Sequence, residues 1–466
     1  LGNALENNHR NKQTRLKKEV DNKMSFHSPL KFAVVADDNT GATDAAGMLT
    51  ERGVTTLLIL NKNYLLPDRL PKGFGAYIYS TATRSLPRET AYRETAFAVE
   101  QFKASGTEKI QIKYSSTFDS TPRGNIGPSL DAALDVLQLK ATTVSPALPI
   151  NGRTTYFGYH FVNGSLISES PLRYHPLNPM TEPSLVRWLS KQTKRQVGLA
   201  PLNVIRRGEK ELASYLKKLI DEGVSYIVTD TIEQRDLKVI AKSTRDWRLI
   251  SGGSGITAEI PELMFGLTQR ELSVYFTERL TRINALRPKI IIAAGSCTPA
   301  TIEQNEYAIS RMGLKGFKLD AKAVIENRID FKAEAKQILN NSVKAPGILI
   351  YTSATPKEVS KNKELGASMG LSPEETGRKI VEGLARLAGE LMELERFGKL
   401  CISGGETSGI LCKHLGIDIL EVGLPIEPGV PYCLTSPLAP GEEEKLVVLK
   451  SGNFGSEDFY ERVKEL

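Results

Sequence analysis

Two adjacent carboxylates, Asp37 and Asp38, follow a short apolar run in the segment Ala36-Asp37-Asp38-Asn39-Thr40-Gly41-Ala42. Paired acids at the end of a first strand can hold a hydroxyl substrate, a metal ion or a transferable proton. One acid alone would serve as a helix cap, with Gly41 easing the turn. Two in a row favour chemistry. A second polar segment, Tyr79-Ser80-Thr81-Ala82-Thr83-Arg84, also follows an apolar run. The Arg84 guanidinium is a planar fork that suits a carboxylate, although taken singly it reads as a surface ion pair. A third segment, KYSSTFDSTPRGNIG from Lys113 to Gly127, is crowded with hydroxyls. Its charges are Lys113, Asp119 and Arg123, and Asn125 lies near its end. Three polar loops after three successive strands predict one polar pocket.

A fourth glycine-rich loop, Leu249-Ile250-Ser251-Gly252-Gly253-Ser254-Gly255-Ile256, would let backbone amides approach an anion or another ligand. It lacks the Lys-Ser or Lys-Thr of a Walker loop. No GxGxxG fingerprint stands at the first strand, which disfavours a dinucleotide-linked dehydrogenase. The second half carries Gly295-Ser296-Cys297-Thr298, Ser403-Gly404-Gly405-Glu406-Thr407-Ser408-Gly409 and Lys450-Ser451-Gly452-Asn453-Phe454-Gly455. Each reads singly as a tight turn. Together they suit phosphates held by backbone N–H donors and helix N-termini. Glu406 would repel those phosphates unless a cation intervenes. It would therefore hold Mg²⁺ or orient a ribose, and no metal-ligand set is assigned.

The elements that must position these loops are strands alternating with helices. Phe32–Ala36 reads as the first strand, followed by a helical pattern to Arg52 and a strand over Val54–Leu60. Further strands are expected at Ala76–Tyr79, Ile110–Tyr114, Thr142–Pro146 and Ser225–Thr229, with helices at Arg88–Lys103 and Pro128–Leu139. Residues 150–180 break the rhythm and read as a β-hairpin excursion with a long ordered loop. Lys289–Ala294 begins a second series, with strands near 347–351, 399–403, 417–421 and 446–450. Its best-marked helix runs from 373 to 397, capped by Ser372 with Glu375 completing a capping box, and ended by Gly398. No internal repeat is found. The fold class is α/β: two α/β domains with mainly parallel sheets and an active site in the cleft between them. The expected division is a disordered leader over 1–23, a first domain over 24–287 and a second over 288–466.

The whole chain has 466 residues, of which 40% are apolar and 25% charged, an ordinary globular composition. Its net charge is +7, and +3 of that sits in the first 23 residues. The rest is too weakly basic for a duplex-binding protein. No apolar run is long enough to span a membrane, and the N-terminus lacks a secretory signal core. The four cysteines form no CxxC and read as free thiols in a reducing compartment, so a cytoplasmic protein is expected.

These motifs resemble those of the four-carbon acid sugar kinase family. VADDNTGA is similar to the family's first-strand signature. KYSSTFDSTPRGNIG, PALPINGRTTYFGY, SESPLRYHPLNPMTEPSLVRWL, ISGGSGI, GSCTPATIEQ, ISGGETSG and KSGNFGSEDFY resemble its successive motifs. The resemblance runs from about residue 31 to 463, and the stretch 114–187 is most similar to the 3-oxo-tetronate branch. It implies a sugar-acid-binding domain followed by an ATP-binding domain. The implied reaction moves the γ-phosphoryl group of ATP to the terminal hydroxyl of a four-carbon acid. D-threonate and D-erythronate are the alternative acceptors. By resemblance, Ser296, the segment Ser403, Gly404, Gly405, Glu406 and Thr407, and Gly452 with Asn453 touch the nucleotide. Asp37, Asp38, Arg84 and the 113–125 loop lie on the substrate side. Asp38 is the first choice for proton acceptor, with Asp37 and Asp119 behind it. Arg84, Lys113, Arg123 and Asn125 would bind the acid. The cofactors are ATP and Mg²⁺. The partner is a small sugar acid, with neither nucleic acid nor membrane, and a homodimer is an open expectation. An NAD-linked sugar-acid dehydrogenase would require a dinucleotide fingerprint that is not found, and a non-catalytic acid-binding protein would leave the three Gly/Ser loops of the second half unexplained.

Overall fold

Phe32–Ala36 is a run of small and branched apolar side chains, all buried, and it forms β1. The computed structural model describes residues 31–174, 178–352, 355–435 and 443–466. The leader over 1–23 lies outside them. The chain forms two compact units, the first through Phe276 and the second from Thr277. Among the described residues no helix is long and apolar enough to cross a membrane.

The first unit's strands are β1, β2 (Thr56–Ile59), β3 (Ala76–Ser80), β4 (Lys109–Lys113), β5 (Thr142–Val144), β6 (Arg153–Tyr156), β7 (Tyr159–Val162), β8 (Ser165–Leu166), β9 (Gln196–Ala200), β10 (Val224–Thr229) and β11 (Leu249–Gly252). One parallel sheet has the order β11-β4-β1-β3-β2. All five strands are buried along their length, and β1 reads as the unbroken apolar run of a strand covered on both faces, whereas β4 is Lys-Ile-Gln-Ile-Lys. A second parallel sheet, β5-β10-β9, adjoins β11 through a bridge from Ser145 to Gly252. Strands β6, β7 and β8 form a small antiparallel sheet, which is the excursion expected in 150–180.

The second unit contains β12 (Ile290–Ala294), β13 (Lys315–Lys318), β14 (Gly347–Tyr351), β15 (Lys399–Ser403), β16 (Ile419–Glu427), β17 (Val430–Thr435) and β18 (Leu446–Lys450). The parallel strands run in the order β13-β14-β12-β15-β18, and β17 and then β16 add antiparallel to β18. The helix Pro373–Leu394 begins as its sequence dictates, with Ser372 and Glu375 in a reciprocal capping box. It ends at Leu394, with Glu395 extended, not at Gly398. Gly398 has a different duty: a Cβ there would lie 2.1 Å from the Arg287 carbonyl oxygen, so glycine permits two backbones to touch.

Each parallel sheet reverses its strand order in the same way. In the first, the chain leaves β1 towards β2, returns through β3, and then crosses to β4 on the other side of β1. The second repeats this with β12, β13, β14 and β15. Such a reversal opens a crevice at the carboxyl ends of the two central strands, where ligands bind in open α/β sheets.

Candidate functional site

In the first unit the crevice lies between the ends of β1 and β3. The strand ladder continues past them through Thr81 N–H to the Ala36 carbonyl, Arg84 N–H to the Asp37 carbonyl and Asp37 N–H to the Lys113 carbonyl. These bonds bring the three predicted polar loops together. Arg84 donates to both oxygens of Asp37, through Nη2 at 2.7 Å and Nε at 3.1 Å. Its Nη1 pairs with Asp38. Asn125 Nδ2 gives Asp37 a third bond at 3.1 Å. Its Oδ1 is buried and accepts from no described residue. Asp38 also caps the helix Asn39–Thr50, accepting from the Gly41 amide. The capping role and the paired-acid role therefore coexist in one residue.

Lys113 is buried, with Nζ against Gly41 and 4.0 Å from Asp44. Asp44 is a residue that the sequence reading missed. Asp44 follows Gly41 by three residues, so the two are neighbours on one helix face, one turn beyond the loop. Burial pushes the Asp37 carboxyl above its ordinary range, against the pull of Arg84. Burial acts the same way on Asp38, but Arg84, Lys113 and the Gly41 amide outweigh it and hold that carboxyl low. Asp44 is raised by burial, opposed by Lys113 and a hydrogen bond from Ser254. One site thus holds three carboxylates with divergent proton affinities. Asp119 is half-buried and accepts from Thr117 Oγ1 at 2.7 Å. Arg123 is exposed and forms no ion pair with a described residue.

The loop 252–255 does not present a glycine cradle. A Cβ on Gly252, Gly253 or Gly255 would lie 2.3, 2.5 or 2.4 Å from the carbonyl oxygens of Ser145, Pro146 and Ala147. These glycines let two backbones pack. The loop over Ser115–Asp119 is braced by His160 of β7, whose Nε2 donates to the Ser116 carbonyl at 2.8 Å while Nδ1 accepts from Thr155. Burial lowers His160 to about 4, so it is neutral in this role.

In the second unit the predicted loops leave three adjacent parallel strands, β12, β15 and β18. Gly295 and Ser296 N–H donate to the Ser403 carbonyl, and Gly404 N–H to the Lys450 carbonyl. Gly404 has φ +127°, and a Cβ there would sit 2.6 Å from Thr407 Oγ1. This turn therefore needs glycine. It starts the helix Gly405–His414, whose N-terminus has no side-chain cap and carries the helix's positive end. Glu406 is exposed in the first turn. Ser403 is committed inside, with Oγ 2.7 Å from the Tyr460 hydroxyl, and the Thr407 side chain is buried against Gly295 and Gly404. The rim is left to Ser296, Gly404, Gly405, Glu406, Gly452 and Asn453.

The comparisons divide the chain in the same order. A family model described as a sugar-binding N-terminal domain matches residues 32–260, and one described as a nucleotide-binding C-terminal domain matches 291–460. A curated 3-oxo-tetronate kinase of Pectobacterium atrosepticum is 33% identical over 94% of this chain and 99% of its own. The chain belongs to the four-carbon acid sugar kinase family. It is thus a kinase, a phosphotransferase with an alcohol acceptor and a small-molecule substrate. Another member, the 3-oxo-tetronate kinase of Salmonella typhimurium, is 33% identical over 93% of this chain and 99% of its own. Within the family's solved structures, the Haemophilus influenzae protein HI1011 superposes with a TM-score of 0.71 at 31% identity, covering 93% of this chain and 99% of that one. A Salmonella typhimurium LT2 chain, provisionally described as a tRNA synthase, gives 0.76 at 32%, covering 93% and 98%.

Proposed function

We propose that this chain transfers the γ-phosphoryl group of ATP to the terminal hydroxyl of 3-oxo-tetronate, giving the 4-phosphate. The first unit takes the acid and the second the nucleotide. One observation carries the division: at the carboxyl ends of its parallel strands the first unit gathers carboxylates, a guanidinium and an ammonium, whereas the second gathers hydroxyls and amides. The substrate's carboxylate and hydroxyls need the former, and phosphates the latter.

Lys113 is the cation for the acid's carboxylate, because the Arg84 fork is spent on Asp37 and Asp38. Asn125 and Arg84 hold the two aspartates in place. Asp38, part-exposed, orients the primary hydroxyl and accepts its proton as the bond to phosphorus forms. A low proton affinity is acceptable there, since phosphoryl transfer depends mainly on positioning and charge neutralisation. Asp44 and Asp119 are the next candidates. Mg²⁺ is typically held by one or two carboxylates and the phosphates themselves. Among the described residues no group of three His, Cys, Asp or Glu could hold a metal ion. Glu406, exposed beside the amides of its helix, is the carboxylate that fits. The ion would neutralise phosphate charge there. The free thiols suit a reducing, cytoplasmic setting.

The test is ATP consumption by the purified protein over 3-oxo-tetronate, D-threonate and D-erythronate. Turnover should be highest with the 3-oxo acid, and Asp38→Asn should lower it at least about a hundredfold. A preference for threonate or erythronate would reassign the substrate. No consumption with any of the three by a folded sample would sink the reading.

A further inference from the structure

The loop after β18 is gripped from beneath by donors that all take its carbonyls. Lys450 Nζ donates to the carbonyls of Ser451 at 3.0 Å, Gly452 at 3.4 Å and Phe454 at 3.0 Å. Gln304 Nε2 donates to those of Phe454 at 3.1 Å, Gly455 at 2.9 Å and Ser456 at 2.9 Å. The hydroxyls of Thr298 and Thr301 both donate to the Gly452 carbonyl, at 2.7 and 2.9 Å. Lys450 is 0% exposed and Gln304 1%.

A trans peptide that turns its carbonyl inward turns its N–H outward. The three carbonyls taken by Lys450 share their peptide planes with the N–H groups of Gly452, Asn453 and Gly455. Among the described residues, those three N–H groups donate to nothing. Outward amides on a short loop make a concavity that binds anions. We infer that Lys450 and Gln304 are positioning residues for the nucleotide's phosphates: they hold the loop by its carbonyls so that its amides face the anion, and neither touches the phosphate. This rests on the nucleotide reading of the second unit. It gives Lys450 a role unlike that of a phosphate-contacting lysine, which would need access to the ligand.

The arrangement also titrates. Burial lowers Lys450 to about 8. Its charged or titratable neighbours are Cys401 of β15 and Glu427 of β16, and the Phe459 ring lies 6.0 Å away. Burial raises the Cys401 thiol to about 12, so that group is neutral across this range. Loss of the Lys450 proton leaves two N–H bonds for three carbonyls, so nucleotide affinity should fall as pH rises through about 8.

The experiment is calorimetry of ADP binding to the full chain, with steady-state kinetics on the same samples. Lys450→Met and Gln304→Met should each weaken ADP at least about tenfold and raise KM for ATP, with KM for the sugar acid unchanged. The double variant should be little worse than either single one, because both act on one loop. Between pH 7 and 9.5 wild-type affinity should decline, and Lys450→Met should remove that decline. Should Lys450→Met fail to fold, Gln304→Met and the wild-type pH profile carry the test. Wild-type ADP affinity in both folded variants would overturn the inference. So would a silent Gln304→Met beside a damaged Lys450→Met, which would mark the lysine as a direct phosphate contact. If the wild-type protein binds no ADP, the nucleotide reading itself fails and the inference falls with it.

Discussion

The partners of Arg84 are two carboxylates of its own chain. Its position after β3 suggests a fork for the substrate's carboxylate, but the fork closes on Asp37 while the remaining nitrogen pairs with Asp38. A lysine has one point charge and cannot serve both carboxylates with the planar geometry of a guanidinium. Asp37 is 6% exposed and would exchange the two-point fork for at most one ammonium contact beside the Asn125 bond. Breaking a buried pair outright costs roughly 3–5 kcal/mol, and a lysine that retains some pairing should cost part of that. Arg84→Lys is therefore expected to lower the melting temperature by several degrees and turnover by at least about a hundredfold. ADP affinity should be unchanged. A variant with normal melting and only a raised KM for the acid would return Arg84 to the substrate.

At the scale of elements, the first turns of the helix Asn39–Thr50 carry Gly41 and Asp44 of the candidate site, with Asp38 as their cap. Gly41 would ordinarily be a weak point, since alanine in a helix is more stable by roughly 0.5–1 kcal/mol. Here a Cβ at Gly41 would lie 2.6 Å from Lys113 Nζ and 2.7 Å from Asp38 Oδ1. Gly41→Ala should therefore leave the fold intact, raise KM for the acid at least about tenfold and spare KM for ATP, as separate titrations of the two substrates would show. An unchanged KM for the acid would mean that Lys113 moves aside freely. Much of this layout was legible in the sequence. The strand-ending loops showed themselves because apolar runs and turn residues are local signals. The commitments of Arg84 and the burial of Asp44 were not legible, because both depend on which strands become neighbours. The same cause explains the glycines at 252–255: their partner is the backbone of 145–147, distant in sequence and adjacent only in the sheet.

At the scale of the whole molecule, two units share the order of their five parallel strands although their sequences show no repeat. Strand order is set by connection rules and buried faces, which many sequences satisfy, whereas the loops at the strand ends are free to differ. If each unit is a binding module in its own right, the second should take nucleotide without the first. Where the chain is cut decides whether that can be tested. Arg279 and Arg282 both pair with Glu421 at 2.8 Å, and Arg282 also meets Glu444 at 2.5 Å. Arg279 and Glu421 are largely buried, at 6% and 15% side-chain exposure. A fragment beginning at residue 285 would strip both arginines from a buried carboxylate, which is strongly destabilising. A fragment of residues 277–466 keeps them. It should fold, melt well above the 285–466 fragment, and bind ADP within about threefold of the full chain, a difference of roughly 0.7 kcal/mol. Calorimetry on the two fragments and the full chain decides this. A folded 277–466 fragment that ignores ADP would show that the loops after β12, β15 and β18 are not sufficient for the nucleotide.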